Sequence, residues 1–180
     1  MKAAFRRFIR CIPLASLPVS LAVWGETAMP SGQAMEPLIG VPYKLYARQR
    51  ETETLSALNC FTSVVYALRR SGYVCPDMSF RQGLAYWWPL AKALRPGQTP
   101  LLGKGALLLS RTHFLLVHSD RNDNGLVDRE DRVIHAYFRP VEISALGTWM
   151  EERQGGEIRY LALDGSFACP TSGEVAGFRR

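Results

Sequence analysis

Near residue 106 of this 180-residue chain the spacing of apolar residues changes from a helical to a strand-like period, and that change narrows the folds open to it. Before it, Phe61, Val65 and Leu68 recur at i, i+4 and i+7. Val64 and Ala67 widen this face, and Arg69 and Arg70 fall outside it. That is the stripe of an amphipathic helix. Residues 79–82 have capping-box form and open a second helix towards Tyr86-Trp87-Trp88, which Pro89 ends or kinks, with residues 90–94 as one further turn. After the change come short apolar runs at 106–110, 113–118, 133–138, 141–143 and 157–163, each of strand length. Helices first and a strand meander afterwards predict an α+β domain with its N-terminal helices packed on an antiparallel sheet. Alternating βαβ units would show the two periods interleaved.

The two ends read differently. Lys2, Arg6, Arg7 and Arg10 precede an apolar run from Cys11 to Trp24 and the small residue Gly25, the pattern of a secretory signal over residues 1–25, with Ala28 as a second cleavage position. No later stretch has 18 uninterrupted apolar residues, so no membrane span is expected after cleavage and the location is periplasmic or secreted. The signal holds four of the 22 Lys+Arg and none of the 16 Asp+Glu, so the formal charge falls from +6 to +2 on its removal. That weak balance argues against a nucleic-acid partner. Residues 26–42, rich in Pro, Gly and small side chains, are expected as a linker or loosely held arm. The folded domain is expected over 43–165, with a C-terminal tail at 166–180 and a monomeric state.

Cysteine usage follows from the export reading. With Cys11 removed, three cysteines remain, which in an oxidising compartment means one bridge and one thiol. Cys75 and Cys169 lie in loop-like stretches beside Pro76 and Pro170 and are the expected pair, leaving Cys60 on its helix; a Cys60–Cys75 bridge would remove this reading. Asn59 is a good N-cap, which makes Cys60 the first helical residue. There, backbone N–H groups and the helix dipole favour the thiolate, the nucleophilic form. The chain has no CxxC, so zinc is not expected.

Residues 120–131 read as a twelve-residue calcium loop. Oxygen ligands fall at Asp120, Asn122, Asn124, Asp128 and Asp131, the Leu126 carbonyl is a sixth, Gly125 takes the sharp turn and Val127 the apolar position. Asp131 replaces the usual bidentate glutamate, and the loop resembles those of dockerins and related extracellular calcium motifs. Without metal the same residues would make an Asn/Asp/Gly hairpin loop. If the loop closes a hairpin, His113 and His135 lie on neighbouring strands on one face, while His118, five residues on from His113, falls on the other. A cysteine at a helix start with a histidine on a packed strand is the arrangement of thiol hydrolysis.

In order and spacing, residues 43–149 resemble the NlpC-type cysteine peptidases of bacterial cell walls. Asn59-Cys60 and the apolar positions 64–68 stand at the family's Asp-Cys helix, and Gly105-Ala106-Leu107-Leu108-Leu109 at its Gly-Asp-apolar strand. His113-Phe114-Leu115-Leu116-Val117 matches its His-Val-Gly-Ile-Tyr strand, Ile134-His135-Ala136 its Ile-His-Ala strand, and residues 141–146 the segment that follows. The chain departs from the pattern at Asn59 for Asp, Phe61 for a small residue and Ala106 for an acid. The resemblance implies a papain-like fold, Cys60 as nucleophile, His113 as base and His135 as the residue orienting that base. It also implies an amide bond in peptidoglycan stem peptides, or another peptide, as substrate, with no organic cofactor. A calcium-stabilised binding domain without catalysis and a secreted amidase toxin are the alternative readings.

Overall fold

The computed structural model describes residues 29–152 and 156–178. The expected signal, residues 1–25 with Cys11, lies outside the described residues. Among the described residues there are eight strands and five α-helices: α1 (Gln49–Glu53), α2 (Cys60–Arg70), α3 (Phe80–Leu90), α4 (Leu146–Glu152) and α5 (Ser172–Gly177). The eight strands are β1 (Lys92–Ala93), β2 (Thr99–Pro100), β3 (Ala106–Leu109), β4 (Phe114–Ser119), β5 (Leu126–Val127), β6 (Arg132–His135), β7 (Glu142–Ala145) and β8 (Arg159–Ala162). Six of them form one sheet in the order β1-β8-β3-β4-β6-β7, every pairing antiparallel, and β2 pairs with β5 separately. The fold is therefore α+β with an antiparallel sheet. Among the described residues no helix is long and apolar enough to cross a membrane.

Strand alternation divides the core in two. Leu107, Leu109, Phe114, Leu116, Ile134 and Ala136 pack towards Phe61, Val65 and Leu68 of α2 and Trp87 of α3. Ala106, Leu108, Leu115, Val117 and Val133 pack on the other side with Leu146 and Trp149 of α4. The central strands β3 and β4 are covered on both faces, so their sequences run as unbroken apolar stretches rather than alternating.

Three segments differ from expectation. The described part of the expected 26–42 arm, residues 29–42, contributes to the core: a 3-10 helix at Gln33–Leu38 buries Ala34, Met35 and Leu38 completely against α2. Its approach to β4 is close enough that a Cβ on Gly32 would stand 2.3 Å from the Val117 carbonyl oxygen. Proline and glycine composition concealed three apolar residues on one side of a short helix. The C-terminal tail is likewise packed. Cys75 and Cys169 are bonded, Trp87 donates to the Ala168 carbonyl, and Gln82 donates to the Val175 carbonyl of α5. Residues 90–94 hold no further helical turn, because Lys92 and Ala93 pair with β8 once Pro89 has removed a helix donor.

Candidate active site

The start of α2 is built around Asn59. Its Oδ1 accepts from Phe61 N at 3.0 Å and Thr62 N at 2.9 Å, and Thr62 Oγ1 accepts from Asn59 N in return. The other end of the same amide donates to the carbonyls of Leu45 at 3.2 Å and Ala47 at 3.1 Å. The loop before α1 is thus tied beside the first turn of α2, which begins at Cys60. A second link, Thr52 Oγ1 to Thr62 Oγ1 at 2.7 Å, fixes α1 to the same turn. Phe61 packs in the core. It is buried, with its ring 5.2 Å from Phe114 and 6.1 Å from both Phe80 and Trp87, so its bulk serves the core.

The sheet brings the two histidines together. β4 and β6 pair with Leu116 opposite Ile134, and His113 and His135 lie at the same end of that pair. Their rings stand 5.4 Å apart, edge to face at 86°. Tyr137 lies edge-on to His113 at 5.2 Å, and Trp149 of α4 stacks on His113 at 5.8 Å and 27°. His135 Nε2 is 3.1 Å from Ser144 Oγ on β7 and 3.9 Å from Glu142. Both imidazoles are buried.

Tyr43 packs against Phe138, the neighbour of Tyr137. Burial, chiefly, pushes its phenol above the ordinary tyrosine value; the Cys60 charge adds to that and Tyr137 adds less, while a hydrogen bond from the Phe138 backbone opposes them. The thiol, Tyr43 and Tyr137 are therefore within electrostatic reach of one another, and the Tyr137 ring touches His113. At the rim, Phe138 is 62 % exposed in the left-handed backbone region at φ 51°, with Tyr43 and Tyr137 at 5.6 Å and 4.5 Å. No protein-family model matches the chain, and no curated protein matches it.

Sequence reasoning missed Tyr43, Tyr137, Ser144 and Trp149. Two-residue alternation from His135 could have found Tyr137. Trp149 had no local signal, because the seven-residue α4 is too short to show a period.

The 120–131 loop joins β4 to β6. Asp120 accepts from Asn124 N at 3.3 Å and Gly125 N at 2.7 Å. Asp128 Oδ2 accepts from the Asn122 and Asn124 amides at 2.8 and 2.9 Å, and Asp131 accepts from Arg121 N at 3.1 Å and Asp128 N at 2.9 Å. Leu126 and Val127 form β5, with Val127 buried opposite Thr99. Burial raises the Asp131 carboxyl above the usual range, its backbone hydrogen bonds oppose this, and the charges of Asp128 and Asp120 raise it further. Asp128 itself is lowered, first by the Asn122 amide. Among the described residues no three His, Cys, Asp or Glu side chains converge as a metal-holding group. His118 sits outside the histidine pair, its Nε2 2.7 Å from Glu36 of the 3-10 helix.

Proposed function

We propose that this chain is an exported cysteine hydrolase of NlpC type on a papain-like fold, cleaving an amide bond in peptidoglycan stem peptides. The observation that carries the reading is the His113–His135 pair, its rings 5.4 Å apart with Tyr137 edge-on to His113, in a chain where Cys60, outside the Cys75–Cys169 disulfide, begins a helix. His113 takes the Cys60 thiol proton, and the sulfur attacks the carbonyl carbon. The Cys60 backbone N–H holds the developing oxyanion. Gln49, buried two residues beyond the tied Ala47 carbonyl, has an amide without a hydrogen-bond partner among the described residues and is our candidate for a second donor. The imidazolium then protonates the leaving nitrogen, and water activated by His113 releases the acyl group from sulfur. His135 orients the His113 ring, and Ser144 holds His135.

The loop's donor set fits calcium. It offers side-chain oxygens from Asp120, Asn122, Asn124, Asp128 and Asp131 with the Leu126 carbonyl, and Asp131 is a carboxyl raised first by burial and then by the charges of Asp128 and Asp120, a combination that a cation would relieve. Those residues would hold calcium, whose charge would offset the carboxylates and stiffen the β4–β6 connection away from the bond cleavage.

The complete burial of His113 favours a second reading, a calcium-stabilised binding domain that has lost catalysis. Digestion of purified peptidoglycan, followed by mass spectrometry of released peptides, separates the two. The wild-type chain should release peptides, and Cys60→Ala and His113→Ala should not. Release by Cys60→Ala would overturn the hydrolase mechanism.

A further inference from the structure

The 120–131 loop and the histidine pair are joined by α4. The first turn of α4 needs acceptors for its unsatisfied N–H groups, and the loop supplies two of them. Leu146 N donates to the Asp131 carbonyl and Gly147 N to the Arg129 carbonyl, each at 2.8 Å. Arg129 also pairs with Glu151 on the same helix at 2.5 Å. Glycine at 147 permits this contact, since a Cβ there would stand 3.0 Å from the Arg129 carbonyl oxygen. Less than one turn further on, Trp149 lies flat on the His113 ring, and it also meets His135 at 6.4 Å. Leu146 and Trp149 are both buried, in one core cluster with Leu115 and Val133 of the sheet.

We propose that Trp149 is a positioning residue for His113, and that the backbone of residues 129–131 sets its place through α4, so that the state of the 120–131 loop is felt at the imidazole. Stacking restricts the rotation of the ring, and two hydrogen bonds tie the stacking partner to the loop. A cation bound by Asp128 and Asp131 holds the same short segment whose carbonyls hold α4. The consequence for catalysis rests on His113 being the base, but the coupling itself can be read independently of activity.

The test is NMR of ring-labelled histidines in the mature chain, with the three signals assigned by His→Ala variants. Gly147→Ala forces α4 away from Arg129, and added calcium chloride alters the loop directly. Gly147→Ala should shift the His113 ring resonances while leaving His118 in place, and calcium should shift the same resonances. Trp149→Leu should abolish both responses, whereas Trp149→Phe, which keeps a stacking ring, should retain them. Peptidoglycan hydrolysis should fall on the order of 100-fold in Trp149→Leu, as expected for a displaced catalytic group, and recover in Trp149→Phe. His113 resonances unmoved by Gly147→Ala would overturn the coupling, whatever the activity. Moved resonances in a chain whose Cys60→Ala variant still hydrolyses would leave the coupling standing and remove the thiol mechanism instead.

Discussion

The Asn59 amide donates to the Ala47 carbonyl oxygen at 3.1 Å while its own oxygen caps α2, so one side chain both starts the helix and ties a loop beside Cys60. Aspartate at this position would cap equally well. It would also set a carboxylate against the carbonyls of Leu45 and Ala47 with no proton to donate.

Asn59→Asp should therefore destabilise the chain by about 1 kcal/mol, the net worth of donations lost to an exposed Leu45 carbonyl and a part-buried Ala47 carbonyl, although the cap itself survives. Urea denaturation measures this directly. A midpoint equal to that of the wild-type chain would mean that the two donations from Asn59 contribute nothing.

Phe61 makes a second prediction beside the same cysteine. A Cβ on Gly83 would stand 2.2 Å from Phe61 Cε2, so α3 and α2 pack here with no spare volume. Gly83→Ala should cost about 1–3 kcal/mol by overpacking. The double variant with Phe61→Leu should recover part of that loss in thermal melts. Additive losses would show that the two residues are not in contact in solution.

Asn59 and Phe61 beside Cys60 thus each have a local physical role, and only part of it is legible in the sequence. Asn59 looked like a cap because capping is local, but its tether to residues 45 and 47 depends on how the chain folds back. Phe61 was read correctly as part of the amphipathic stripe, and Cys75 and Cys169 as a pair from their proline-flanked loops. The order of helices and strands was also visible, because α2, β3, β4 and β6 carry their own periodicity. What could not be read were the short elements stabilised by their surroundings. The 3-10 helix at Gln33–Leu38 sits in a Pro/Gly-rich stretch, and α4 is held at its start by two loop carbonyls. Trp149 rides on α4, so the stacking partner of His113 was hidden with it.

Asp131 gives a prediction with a sign. Burial raises its carboxyl in the folded chain, so the folded state holds the proton more tightly than the unfolded one. The stability this confers is present below the unfolded pKa and is lost as pH rises through the folded value. At neutral pH without calcium, Asp131 is a net cost, and Asp131→Asn should raise the melting temperature in chelator. With calcium the order should reverse, since the wild-type chain gains stability by binding and the variant does not. Melting curves in chelator and in calcium chloride test both halves; a wild-type melting temperature indifferent to calcium would remove the metal from residues 120–131.

If His113 supports a Cys60 thiolate, as proposed, the reactivity of that sulfur as a function of pH shows it most directly. An ordinary cysteine, with a pKa near 8.5, is only about 0.3 % thiolate at pH 6. The rate of Cys60 alkylation by iodoacetamide, measured from pH 5 to 9 in the wild-type and His113→Ala chains, should stay high at pH 6 in the first and collapse there in the second. A wild-type rate that falls roughly tenfold per pH unit below pH 8, the dependence of an ordinary thiol, and matches that of His113→Ala would contradict the account.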